Sequence, residues 1–150
     1  MKFLDWMLKL GEYILAASQT LLIISEFLAS AALHFPTLIE YLYEGVTKIF
    51  DLKDTLLAQG APKEQVRDTI EVARDDLIAA TLEEFHGSGP QISIMFIKQI
   101  IEGIVALGKA ERYGVAHFQD RDVRARDLGY LVSPDLELAK RTYPLLFGKR

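Results

Sequence analysis

Cysteine is missing from this chain of 150 residues. Its absence excludes a disulfide scaffold, a thiol nucleophile, and zinc or iron–sulfur centres held by thiolates, and it fits a reducing compartment. Strand signals are missing too: no stretch alternates apolar and polar residues for a useful length, and there is no internal repeat or low-complexity tract. None of the patterns G-x-S-x-G, P-loop or G-x-G-x-x-G occurs. No charged leader with an A-x-A cleavage site opens the chain, so a cleaved secretion signal is not expected. Nor does one charge dominate. The 17 Lys+Arg and 21 Asp+Glu leave a net of −4, which is not the footprint of a nucleic-acid binder.

What is present is largely apolar. Hydrophobic residues make up 50% of the chain and charged ones 25%, so it has the means to build a core and is not a disordered polymer. The charge is unevenly spread. Residues 51–90 carry 4 basic and 9 acidic groups, and residues 91–150 carry 10 and 7. An acidic middle and a basic last third attract each other within one molecule or between copies.

Helical periodicity runs through most of the length. Between Asp5 and Leu33 there is no proline, and Lys2, Asp5, Lys9, Glu12, Gln19, Glu26 and Ser30 recur at three- and four-residue steps or their sum. They form one thin polar stripe on an otherwise apolar rod. His34-Phe35-Pro36 interrupts it, and a second helix is expected from Pro36 or Thr37. Gln59-Gly60-Ala61-Pro62 ends that helix and opens a third, about Pro62 to His86, with Gly60 suited to the residue after the helix and Pro62 to its first turn. In the third helix Val66, Ile70, Ala73 and Leu77 make one apolar face, and Glu64, Arg67, Asp68, Glu71, Arg74 and Asp75 a wet one. Gly87-Ser88-Gly89-Pro90 reads as a flexible linker over 87–90. A fourth helix is expected from about Pro90 to Tyr113, again with a thin stripe: Gln91, Lys98, Glu102, Lys109 and Arg112. Beyond Gly114 the pattern is irregular until Ser133-Pro134-Asp135, which suits the start of a short helix to about Tyr143. Pro144-Leu145-Leu146-Phe147 then forms an apolar clip before Lys149-Arg150.

These readings predict a single all-α domain over 1–150. Its architecture is a bundle of about four long helices with a short C-terminal helix and an extended arm over 119–150. One continuous helix from 5 to 33 would be about 44 Å long, whereas a compact globule of this size is about 38 Å across. Two helices that want cover on most sides exceed what the rest of the chain offers. Completion by oligomerisation or helix exchange is expected, through an interface that includes Leu15, Leu22, Phe96, Ile100 and the clip residues Leu145, Leu146 and Phe147. Lipid is the other source of cover. Ile14 to Leu33 has the length of a membrane span but carries Gln19 and Glu26, and a charge at a bilayer centre costs about 2.5–3.5 kcal/mol on the insertion scale.

Few residues suggest chemistry. Arg112-Tyr113-Gly114-Val115-Ala116-His117 resembles the Arg-x4-His motif of helical HEPN-type ribonucleases. The resemblance covers six residues. It implies His117 as an acid/base and Arg112 as a stabiliser of phosphate charge. The stretch departs from the motif in carrying Tyr113 where a polar residue usually follows the Arg, and Gly114 falls between the two functional positions. Read without the resemblance, these are a helix-end Arg and a loop His. Glu83-Glu84-Phe85-His86 has the Glu-x-x-His spacing of di-iron bundles, but neither His34 nor His117 has a Glu three residues before it to complete a pair. Asp75-Asp76 and Glu83-Glu84 read as solvated acidic surface, without the spacing of a calcium loop. Gln119 to Asp127 interleaves three Arg with three Asp, which suits a solvated or intersubunit loop. No catalytic residue, cofactor or metal is therefore expected. The expected role is that of a non-enzymatic, self-assembling structural protein whose main partner is itself. Its most concrete form is a viral or phage capsid or nucleocapsid shell protein, with apposition to a membrane as a variant and virion or cytoplasm as its place. A small membrane-associated helical protein is the alternative, and a helical ribonuclease the third.

Overall fold

The computed structural model describes residues 1–11, 19–86 and 92–113. These contain five α-helices and no strand: α1 Lys2–Gly11, α2 Gln19–His34, α3 Pro36–Ala58, α4 Lys63–Glu84 and α5 Ile94–Tyr113. The described residues are all-α, as the periodicities predict. The linker expected over 87–90, the short helix from Ser133 and the arm over 119–150 lie outside the described residues, as do Leu15, His117, Leu145, Leu146 and Phe147.

The helix boundaries follow local chemistry. A single residue, Phe35, joins α2 to α3. Its N–H closes α2 on the Ala31 carbonyl at 2.7 Å, and its own carbonyl accepts from Ile39 N–H at 3.0 Å. Pro36 then occupies the first turn of α3, where no N–H is needed. The end of α3 is a Schellman closure. Gly60 takes φ 77°, its N–H reaches the Leu57 carbonyl at 3.1 Å, and Ala61 N–H reaches that of Leu56 at 3.1 Å. α5 opens on Ser93, whose hydroxyl accepts from Phe96 N–H at 3.1 Å, an N-cap that satisfies one of the orphan donors of the first turn.

α1 and α2 are not segments of one straight rod. Phe3 packs edge-on against Tyr43 with ring centroids 5.9 Å apart, and its N–H donates to Glu40 at 3.1 Å. In a continuous helix Phe3 would lie about 48 Å from Phe35, whereas Tyr43 is about 12 Å from Phe35 along α3. The two distances are incompatible, so α1 and α2 are not collinear. α1 instead lies back against α3.

At the centre is α5. Every residue from Phe96 to Ala110 is buried except Lys98 and Lys109. Phe50 meets α5 at Gly108, Arg112 meets Asp54, and Phe35 meets Phe96 with ring centroids 5.5 Å apart. α3 and α5 therefore run parallel. α4 runs the other way, since Tyr41 meets Phe85 and Gly45 meets Leu77. α2 covers another side through Leu28 and Phe27. The cover that the apolar rod of α5 requires is supplied by helices of the same chain. Phe96 and Ile100 have no exposed surface, so they can join an intersubunit surface only if α5 is exchanged.

Two glycines set how closely these helices approach. A Cβ at Gly108 would fall 2.6 Å from Cε2 of Phe50, and one at Gly45 would fall 2.5 Å from Cδ1 of Leu77. The sequence suggests that Gly45 weakens its helix; the packing shows what it allows in return. Gly108→Ala should lose about 1–3 kcal/mol of stability through overpacking, although alanine is the better helix former by about 1 kcal/mol. Urea unfolding measures this, and a neutral or stabilised variant would contradict the packing at Phe50.

Candidate assembly face and surface cavity

α1 is docked by an aromatic cluster and two hydrogen bonds. Trp6 lies 6.1 Å from Phe3 and 5.1 Å from Tyr43 between ring centroids, and its indole N–H donates to Glu111 of α5 at 2.9 Å. Burial pushes the Tyr43 phenol above its ordinary range; the Thr47 side chain opposes that shift, while the nearby Glu111 and Glu40 carboxylates add to it. Phe3 is fully buried in this contact, and Leu10 farther along α1 is fully buried as well. The apolar arc of α1 nonetheless extends beyond what the bundle covers. Met1, Leu4 and Leu8, spaced three and four apart, are 45%, 44% and 75% exposed. They form one strip bordered by Lys2, Asp5 and Lys9. Leu22 and Leu33 of α2 are also exposed. Of the residues expected at an interface, Leu22 thus has free surface and Phe96 and Ile100 do not.

A buried ion pair holds α4 to α5. The Arg74 guanidinium contacts the Glu102 carboxylate, whose residue is only 4% exposed. Glu102 Oε2 has no hydrogen-bond partner among the described residues. Sequence periodicity places Arg74 on a wet face and Glu102 in a thin stripe. The antiparallel approach of α4 and α5 turns the two toward each other.

Arg74 stands between two hollows. The larger is a cavity of about 510 Å³, half open to solvent, between α3, α4 and α5. Its walls are Val46, Ile49, Phe50, Leu57, Val66, Ile70 and Val105, and Lys53, Lys63, Arg67, Arg74 and Lys109 supply its charge against one carboxylate, Glu71. The smaller, about 210 Å³, lies on the other side of Arg74 and is lined by Glu71, Asp75, Lys98 and Glu102 with Ile78 and Ile101. Neither lining contains a Ser, Thr, His or Tyr; the ionisable side chains present are Lys, Arg, Asp and Glu. Among the described residues there is no cluster of three or more His, Asp or Glu placed to hold a metal ion. None of the described helices is long and apolar enough to cross a membrane.

Arg112 is engaged with α3. It donates to Asp54 at 3.2 Å, approaches Asp51 at 4.0 Å and stacks over the Phe50 ring at 4.6 Å. This residue ties the end of α5 to α3. In comparisons with known proteins, no family model matches the sequence, and no curated protein or solved structure shows significant similarity to it.

Replacing Arg74 alone strands a carboxylate in the interior. Arg74→Leu should cost toward the lower end of the about 3–5 kcal/mol seen when one partner of a buried pair is removed, because the Arg74 side chain is 22% exposed. Arg74→Leu with Glu102→Leu should recover most of that loss in denaturant melts. A double variant as unstable as the single one would show that the pair does not couple α4 to α5.

Proposed function

We propose that this chain is a non-enzymatic structural protein that assembles with copies of itself. The observation that carries the reading is the uncovered strip of Met1, Leu4 and Leu8 on α1. Each large apolar side chain taken fully out of water contributes about 1.5–3 kcal/mol. The strip sits on a helix anchored by Trp6 and Phe3, so it is presented on a fixed support. Leu22 on α2 adds to the outward apolar surface. The uneven charge of the chain gives such contacts a second, electrostatic term between the acidic middle and the basic last third. The C-terminal residues Leu145, Leu146 and Phe147 are proposed to clip a neighbouring copy, and exchange of α5 through the 87–90 linker is a further route to the same end. The most specific form of this role is a viral or phage shell, for which the sign would be closed particles in electron micrographs of the purified chain. Arg112 and His117 are proposed to have no catalytic part.

Sedimentation of the full chain at micromolar concentration without detergent tests the reading. A stable oligomer is expected, and Leu4→Glu with Leu8→Glu should shift it to the 16.9 kDa monomer with its circular dichroism unchanged. A parent chain that stays monomeric would overturn the proposal. So would one that is soluble only in detergent and floats with vesicles, which would make a membrane surface the partner of the strip.

A further inference from the structure

The cavity between α3, α4 and α5 is a second feature, independent of the strip on α1. We propose that it binds a single long-chain fatty acid, with the acyl chain inside and the carboxylate among the cations of its mouth. Volume, wall chemistry and charge each support this. About 510 Å³ lies within the roughly 300–1,000 Å³ of small-molecule sites, a size that suits one acyl chain of about 16 carbons. The walls are aliphatic or aromatic between the charged residues, and no hydroxyl or amide side chain lines them. A ligand with polar groups along its length would leave those groups unpaired there. Polarity is confined to charged side chains, and five of the six are cationic. Arg74 is committed to Glu102 and Arg67 lies 3.9 Å from Asp68, so Lys53 and Lys63, beside Glu71, are the cations of the opening on which the proposal rests. The ligand that matches is apolar along its body and anionic at one end.

The chain's own last residues are the competing occupant. α5 ends at Tyr113, whose ring lies beneath Lys53 Nζ at 5.0 Å, so the last described residue stands beside a lysine of the cavity. The segment that follows in sequence, residues 114–150, carries 7 basic and 5 acidic side chains. Its sign is that of the cavity, and like charges oppose docking. A carboxylate ligand has the complementary sign.

The test uses the full-length chain, stripped of bound lipid, with sodium palmitate as probe in calorimetric titration. Hexadecanol, of equal chain length but uncharged, serves as the control. Saturable binding of one palmitate per chain is expected, with hexadecanol weaker. Lys53→Gln with Lys63→Gln should weaken palmitate by about tenfold, the scale of two screened charge contacts, and leave hexadecanol unchanged. Ile70→Trp, which fills the cavity, should abolish both; circular dichroism checks that each variant is folded. Three results would overturn the proposal. The first is no saturable binding of palmitate to the parent. The second is equal binding of both probes with no effect of the lysine changes. The third is binding that appears only after Leu145→Ser, Leu146→Ser and Phe147→Ser are introduced, which would assign the cavity to the chain's own arm.

Discussion

Burial of α5 on nearly every side is the constraint from which the rest of the structure follows. A helix enclosed by α2, α3 and α4 cannot point its polar stripe at water. Lys98 and Lys109 escape by lying at the edges of the two hollows. Glu102 cannot escape, and a carboxylate at that depth is tolerated only with a cation beside it. Arg74 supplies the cation. The pair joins α4 to α5 beside the cavity whose walls include Val66, Ile70, Val105 and Phe50.

Close approach is the second consequence. Phe50 can lie against α5 because Gly108 has no side chain, and Leu77 against α3 because Gly45 has none. Helices drawn this near bear the entropic cost of glycine within a helix in exchange for dispersion contacts along their length. The Phe50 ring then meets α5 twice, at Gly108 and under the Arg112 guanidinium 4.6 Å from its centre. Arg112 therefore reads as a clamp between α5 and α3 in addition to any charge it presents outward.

Much of this was legible in the residues. Pro36, Gly60 and the break after His86 mark the helix boundaries to within a residue or two, because proline and glycine act through local sterics that tertiary packing rarely overrides. The start of α5 is less exact: Pro90 invites one, but the hydroxyl of Ser93 provides the cap. The thin stripes were visible as patterns, yet their meaning was not. Periodicity says that Glu102 and Arg74 each lie on a polar line; it does not say that the two lines meet, which depends on the order and direction of packing. The apolar span from Asp5 to Leu33 likewise reads as one rod, since nothing in its spacing reports the contact of Phe3 and Trp6 with Tyr43. That contact joins residues far apart in sequence and exists only once α3 is in place. The cavity had no sequence signal at all, because its walls come from three helices.

The central claim is that α5 is covered by its own chain, so that the outward apolar strip of α1 is left as the face for association. Native-state hydrogen exchange followed by mass spectrometry at two protein concentrations tests this most directly. Amides of residues 100–110 should be the slowest in the molecule, opening only with global unfolding, and their protection should be the same in the assembled and the dilute protein. α1 should gain protection on assembly. If the protection of α5 instead falls on dilution, the helix depends on a partner subunit for its cover and the account is contradicted.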